Sequence, residues 1–369
     1  MAYKYTHLIP QNTAPKGTKQ IGVYNTNGKK VCNIPLGRLA PTKKEKLYSF
    51  GLLSDIHLAG YDSPTETKFD NALAYFKEQG VDFCCHCGDI TDTGFWYPIS
   101  ETEHISYFST IQFDKFRDIC RKYNIPFYGN CGNHESYNTY DISGTYTDVY
   151  GSDPTLVVNN LEKLEEYTGY GLTFTMNYGD DIFIFVGQST GNHPMTVEHL
   201  KWLYARLEEN RNKRCFVFIH PYVSSADSGN PLGLHALPLF DYWGETNTKA
   251  FTDMMSHYKN AILFHGHSHT HFSTQEQVSH AVYSEELGFR SVHVPSSANG
   301  RKISNGALTS KDTAYSLGYI ADVYEDFIVL NGVDFVSSEY VPIGVYQIDT
   351  TLKPVEAGKF KDYTGIINT

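Results

Sequence analysis

The segment "NAILFHGHSHTHF", residues 260–272, runs from an apolar strand into four histidines at alternate positions. In an extended backbone, side chains at i and i+2 point to the same side. His265, His267, His269 and His271 therefore share a face. Four groups that titrate near neutrality are costly to bury together unless something compensates them. A divalent cation would do so, because neutral imidazole is a common metal ligand. The competing reading is a solvent-facing strand edge or loop, and an isolated His-x-His does not decide between them. The decision rests on whether the rest of the chain supplies partners.

The plan of that segment recurs. From residue 47, short apolar strands alternate with helices: "LYSFGLLSD" (47–55), the helical "TETKFDNALAYFKEQG" (65–80) with a terminal Gly80, and "VDFCCHCGD" (81–89). The helical "TIQFDKFRDICRKYN" (110–124) precedes "IPFYGNCGNHE" (125–135). Further on come the strand "DIFIFVGQS" (181–189), the amphipathic "TVEHLKWLYARLEENRN" (196–212) and the strand "RCFVFIHPY" (214–222). After about residue 312 the chain reads as strands, so an α/β core is followed by a β-rich C-terminal part. Residues 1–46 read as a separate extension: "QIGVYNTNGKKVCNIPLG" alternates like a hairpin around Asn27-Gly28, and "APTKKEK" (40–46) is a polar linker. Three longer segments, 93–109, 136–157 and 222–250, read as irregular loops, and loops of that length in a compact domain are usually functional.

Composition narrows the partners. The formal net charge of -11 over 369 residues argues against broad binding to nucleic acid or anionic membrane, which needs a positive footprint. No apolar run reaches the length of a membrane span, and the N-terminal stretch has no apolar core of a signal peptide. The seven cysteines show no framework spacing and read as reduced thiols. "FCCHCGD" (83–89) has no second Cys-x-x-Cys downstream, so Cys84, Cys85, His86 and Cys87 read as a buried strand rather than a zinc site. These features lead to the expectation of a cytoplasmic protein without a signal peptide.

Ligand-type residues recur just past the C-terminal ends of the strands, the edge where open α/β sheets bind ligands. In order they are "SDIH" (Asp55, His57), "GDITD" (Asp89, Asp92), "GNHE" (Asn133, His134, Glu135), "FIHP" (His220) and "GHSH" (His267, His269). Each is weak alone, but all five in this order are hard to obtain by accident. Together they resemble the motif series of the calcineurin-like metallophosphoesterase superfamily, over roughly residues 47–300. The resemblance implies a four-layer α/β/β/α sandwich, with the small N-terminal β-hairpin extension (1–46) followed by the metallophosphoesterase domain (47–369). That domain would carry its motifs over 55–269 and a β-rich part over 301–369.

The resemblance also implies a dinuclear centre. Asp55, His57, Asp89 and His269 would take one divalent ion, and Asp89, Asn133, His220 and His267 the other, with Asp89 bridging. A mixed nitrogen and oxygen shell suits Mn, Fe or Zn better than Mg or Ca. His265 and His271 have no place in the pattern and read as hydrogen-bonding or rim positions. Gly88, Gly132 and Gly266 would let the backbone turn sharply beside the metals. "GNHP" (191–194) imitates the third motif, but Pro194 replaces its acid, leaving His193 as a candidate to overhang the pocket.

The implied reaction is hydrolysis of a phosphate ester by a metal-bridging hydroxide, with a phosphodiester slightly ahead of a monoester. His134, by resemblance, faces the substrate and assists the departing oxygen, Asp92 holds and polarises it, and Glu135 supports the site from behind. The aromatics of the long loops are candidate substrate contacts, Tyr97, Tyr137 and Tyr222 foremost. A small or modest-sized phosphate ester is the expected partner, with no extended nucleic acid. Two alternatives stay open. One is a phage- or prophage-tail-type structural or attachment protein carrying this fold: "IGVYNTNGKKVCNIPLGRL" (21–39) loosely resembles leader segments of phosphoesterase-like proteins of phage or prophage tails, which implies a particle-associated protein, attached through its N-terminal segment, that acts on or binds a cell-surface phosphodiester. The other is a nuclease.

Overall fold

The computed structural model describes residues 20–24, 30–35, 45–59, 63–92, 105–136, 164–187, 197–221, 245–272, 289–304, 307–308, 312–350 and 352–358. Two large sheets organise them, beside a short antiparallel pair, β11 (Ile303–Ser304) with β12 (Ala307–Leu308). The first has six strands in the order β15-β14-β13-β3-β4-β5, where β3 is Tyr48–Leu53, β4 Phe83–His86, β5 Phe127–Gly129, β13 Leu317–Val323, β14 Phe327–Asp334 and β15 Glu339–Asp349. Strands β3, β4 and β5 run parallel, and β13 joins β3 antiparallel, so the C-terminal strands extend the sheet begun near the start of the domain. The second sheet has five strands in the order β10-β9-β8-β7-β6: β6 Thr173–Tyr178, β7 Asp181–Val186, β8 Cys215–Phe218, β9 Ala261–His265 and β10 Arg290–His293.

Side-chain alternation explains why the sheets face one another. Along β7, Phe183 and Phe185 point into the space between the sheets, while Ile182, Ile184 and Val186 point outward. Strand β8 repeats this with Phe216 and Phe218 inward and Cys215 and Val217 outward. From the first sheet, Tyr48, Phe50 and Leu52 of β3 meet these rings, with Phe50 edge-on to Phe183 at 5.4 Å between centroids. The inner core is therefore largely aromatic, and the outer face of the second sheet is aliphatic. That period of two is the strand signature of burial on both faces.

Helices cover the two outer faces. Helix α1 (Pro64–Gln79) starts with proline in its first turn and ends on the left-handed Gly80 (φ 68°), a helix stop that needs no Cβ. With α2 (Ile105–Tyr123) it packs Phe69, Leu73, Phe76, Phe113 and Phe116 against the first sheet. The short turn α3 (Asn133–Ser136) follows β5. Helices α4 (Val197–Glu209) and α5 (Glu245–His257) place Leu200, Leu203, Leu207, Phe251 and Met254 against the second sheet. The result is helix, sheet, sheet, helix: the four-layer sandwich expected from the motifs. Among the described residues, no helix is long and apolar enough to cross a membrane.

Some local expectations change. The irregular segments 93–109 and 222–250 end earlier than the sequence suggested, because Ile105 opens α2 and Glu245 opens α5; what remains of 93–109, 136–157 and 222–250 lies, nearly all of it, outside the described residues. In the extension, β1 (Gln20–Tyr24) and β2 (Lys30–Pro35) pair antiparallel as a hairpin with an irregularity at Val23/Tyr24; its turn at Asn27-Gly28 lies outside them. Cys84, Cys85 and Cys87 are buried free thiols whose titration burial pushes well up, which fits a buried strand rather than a metal site.

Candidate metal centre

The ends of β3 and β4, and of β8 and β9, stay paired beyond the regular ladder. Asp55 N donates to Gly88 O at 3.0 Å and His57 N to Asp89 O at 3.1 Å. Across the seam between the sheets, His267 N donates to Asp55 Oδ2 at 3.0 Å. These bonds deliver Asp55, His57, Asp89, Asn133, His220, His267 and His269 to one place, and all seven are buried. Asp55, His57, Asp89 and His269 offer ligand atoms within 4.8 Å of one another, as do Asp89, His220 and His267. Asn133 joins the second group, its Oδ1 2.9 Å from both His220 Nε2 and His267 Nδ1. Asp89 is common to both groups.

The donor chemistry fits cations. His57 Nε2 faces His269 Nε2 at 3.0 Å, His269 Nε2 lies 3.1 Å from Asp55 Oδ1, and His220 Nε2 lies 3.1 Å from Asp89 Oδ2. Lone pairs this close repel unless a proton or a metal lies between them. Ligands about 2.1 Å from a shared ion sit about 3.0–3.5 Å from each other, which matches this spacing. In the protein without metal, burial disfavours charge on Asp55, yet the imidazoles of His269, His220 and His57 hold its carboxyl well below the usual range. Burial likewise opposes charge on His220, but Asp89, Asp55 and Glu135 push it up to about 9. The carboxylates draw positive charge into the cluster, and a divalent ion would supply it in place of protons.

The backbone around the cluster is unusual. Seven non-glycine residues among those described have positive φ, and five of them are Asp55 (51°), His57 (48°), Asp89 (59°), His267 (72°) and His269 (59°). Each left-handed residue costs on the order of 1–3 kcal/mol, so the concentration marks a site built against local preference. The glycines divide differently from the sequence expectation. Gly88 does turn, at φ 109°, but Gly132 and Gly266 are present for close approach. A Cβ on Gly132 would lie 2.2 Å from Asp89 Oδ1, and one on Gly266 would lie 1.8 Å from Ser54 Oγ.

Supporting groups orient the imidazoles. Asp92 Oδ1 lies 3.1 Å from His57 Nδ1 and 3.3 Å from His134 Nδ1, so it serves two rings rather than His134 alone. His220 Nδ1 donates to Cys87 O at 3.0 Å, and His269 Nδ1 lies 2.8 Å from Asn299 Oδ1. His134 Nε2 stands 3.9 Å from Asp89 Oδ2 at the edge of the cluster. Glu135 is fully buried: Oε2 accepts from Asp89 N (3.1 Å) and Gly132 N (2.7 Å), and Oε1 from Thr91 N (2.7 Å). Burial and the neighbouring Asp89 raise its pKa, against the stabilising N–H donors of Thr91 and Gly132.

His265 is not a rim position. It is fully buried in β9, its ring 5.5 Å from that of His293, and burial lowers its pKa to about 3. His271 is also buried, packed edge-on to Tyr315 at 4.8 Å. The suggested substrate contacts Tyr97, Tyr137, His193 and Tyr222 lie outside the described residues. Sequence reading missed Asn299 and Asn130. Asn130, the first asparagine of "GNCGNHE", donates from Nδ2 to Val186 O and Phe218 O, both at 3.1 Å, and so ties the end of β5 to the second sheet beneath the cluster.

Comparison with known proteins agrees with this geometry. The family model described as calcineurin-like phosphoesterase matches residues 48–271. Among solved structures, the chain is similar to a dimetal phosphatase from Danio rerio, with 14% identity, a TM-score of 0.53, and coverage of 83% of this chain and 100% of that one. It is also similar to a purple acid phosphatase from yellow lupin (Lupinus luteus) seeds, with 13% identity, a TM-score of 0.53, and coverage of 89% of this chain and 59% of that one. At these identities the two likenesses speak for the fold. No curated protein matches the chain. With the family match spanning more than half its length, the chain belongs to the calcineurin-like phosphoesterases, as a metal-dependent hydrolase of phosphate esters.

Proposed function

We propose that the protein hydrolyses a phosphodiester in preference to a monoester, using two divalent ions drawn from Mn, Fe and Zn. The convergence of two ligand groups on the shared Asp89 carries the two-ion part of this reading. Asp55, His57, Asp89 and His269 would hold one ion, and Asp89, Asn133, His220 and His267 the other. Bound there, the ions supply Lewis acidity toward the phosphoryl oxygens and make hydroxide available from water near neutral pH.

The chain's own groups do the remaining work. Asp92 accepts from the Nδ1 sides of His57 and His134, which leaves Nε2 of each directed inward. Water loses a proton to solvent as its oxygen bonds to phosphorus, the ester P–O bond breaks, and His134, as imidazolium with its Nδ1–H on Asp92, gives its Nε2 proton to the departing oxygen. Glu135 holds the backbone N–H groups of Asp89, Thr91 and Gly132, and so fixes the shared carboxylate. The division at residue 46/47 belongs to the same proposal; the family match beginning at residue 48 supports it.

The test compares bis-nitrophenyl phosphate with nitrophenyl phosphate in Mn²⁺, for the native protein and His134→Asn. The diester should turn over faster. The variant should keep its metal and lose ~10²-fold or more in turnover, the usual scale for an acid–base group. Faster monoester hydrolysis reverses the substrate preference, and unchanged turnover in the variant removes His134 from its role.

A further inference from the structure

Four side chains of the cluster are histidines, and a ligating histidine needs a partner on its second nitrogen to fix ring and tautomer. His57 has Asp92 and His220 has the Cys87 carbonyl, both within reach of the sequence motifs. The partner of His269 comes from elsewhere. Asn299 Oδ1 lies 2.8 Å from His269 Nδ1, although the two are 30 residues apart and Asn299 belongs to none of the five motifs.

The turn bearing Asn299 is built around the ligands. Ser296 Oγ donates to Asp55 O at 2.9 Å and accepts from Asn299 N at 3.0 Å and Ala298 N at 3.1 Å. Ala298 N also donates to Asp55 O, at 3.2 Å, and Arg301 N to His269 O at 2.8 Å. Residues 296–301 thus bridge the backbones of two candidate ligands from different sheets. The buried Lys68 of α1 closes the arrangement: its ammonium donates to Ala298 O, to Thr313 O at 2.6 Å and to Tyr315 O at 2.9 Å. Three carbonyl acceptors on one buried cation fix the turn against the helix layer.

We propose that Asn299 is the positioning residue of His269. Its amide oxygen accepts the Nδ1 proton, which holds the Nε2 lone pair toward Asp55 and His57. A neutral amide does this without adding another carboxylate to Asp55, Asp89, Asp92 and Glu135. The role rests on the dinuclear reading above and concerns only the ion that His269 would hold.

The test is calorimetric titration of Mn²⁺ into metal-free native protein, Asn299→Leu and Asn299→Asp, with folding checked by circular dichroism. Leu keeps the size and removes the acceptor, whereas Asp keeps the acceptor and adds charge. The native protein should bind two ions. Asn299→Leu should weaken one of them by about 10–100-fold and leave the other as it was, and Asn299→Asp should bind that ion at least as tightly as the native protein. Native-like binding of both ions by Asn299→Leu would overturn the proposal, as would equal weakening of both or weakened binding by Asn299→Asp. If Asn299→Leu does not fold, the Asp variant decides: retained or tighter binding at one site supports the role, and weaker binding overturns it. A native protein that binds no Mn²⁺ would instead overturn the dinuclear reading itself.

Discussion

The same strands carry two buried carboxylate centres, one at each end, and they are completed in opposite ways. At the start of β3, β7 and β8, Asp181 meets Arg214 in a two-pronged pair, Nε to Oδ1 at 3.0 Å and Nη2 to Oδ2 at 2.5 Å. Tyr48 donates to Asp181 Oδ2, and Arg214 Nη1 donates to Tyr324 O (2.7 Å) and Thr350 Oγ1 (2.8 Å). Every charge there has its complement in the chain. At the far end, Asp55 and Asp89 are buried among imidazoles, and among the described residues no lysine or arginine pairs with either. The difference teaches what each end is for. The Asp181 end joins the sheets and is finished when the chain folds. The Asp89 end awaits positive charge from outside.

That contrast breaks most visibly at Arg214. Replacing it with methionine leaves Asp181 buried without its cation, and removing one member of a buried pair costs about 3–5 kcal/mol. Denaturant unfolding should report that loss equally with Mn²⁺ or with a chelator present, since the pair lies at the end of the strands away from the metal ligands. A loss below about 1 kcal/mol would show that the two ends are not distinct in kind.

An effect smaller per pH unit sharpens the comparison from the metal side. His86, at the end of β4, is fully buried, accepts from Gly88 N at 3.0 Å and stays neutral, because burial lowers its pKa to about 3. The unfolded group titrates near 6.5. Above that pH neither state is protonated and the full stability is present. Between 6.5 and about 3 the unfolded state gains a proton that the folded state refuses. Stability then falls with decreasing pH by about 1.4 kcal/mol per unit for this one group. His86→Asn, which keeps an acceptor for Gly88, should remove that share of the slope in metal-free protein. An unchanged slope would place the acid sensitivity elsewhere.

Much of this arrangement was legible in the sequence because chemistry and position coincide. Asp55, Asp89, Asn133, His220 and His267 each follow a short apolar strand within a few residues, so a linear pattern points at a three-dimensional edge. The strands and the helices between them were legible as an α/β core with a β-rich end, and the motif resemblance, not that alternation, implied the four-layer sandwich. What escaped reading depends on contacts between distant segments. Asn299 and Ser296 look like ordinary loop residues in "VPSSANGR", and only the pairing of β13 with β3 and of β10 with β9 brings their turn against Asp55 and His269. Asn130 looks like a copy of Asn133 and proves to be a clamp between sheets. Strand β6 did leave a signal, since Phe174, Met176 and Tyr178 alternate with polar residues, but as an antiparallel edge strand it lacks the continuous apolar run of its neighbours. Helix α5 left one too, in the helical spacing of Ala250, Phe251, Met254 and Met255.

The central claim is that two ions share Asp89, and metal content tests it directly. Native protein and Asp89→Asn would be stripped with chelator, reloaded with Mn²⁺, desalted and assayed for bound metal per chain. The account predicts two ions in the native protein and at most one, weakly held, in the variant, because one substitution removes a ligand from both groups. Native protein that retains no metal, or a variant that retains two ions, would contradict it.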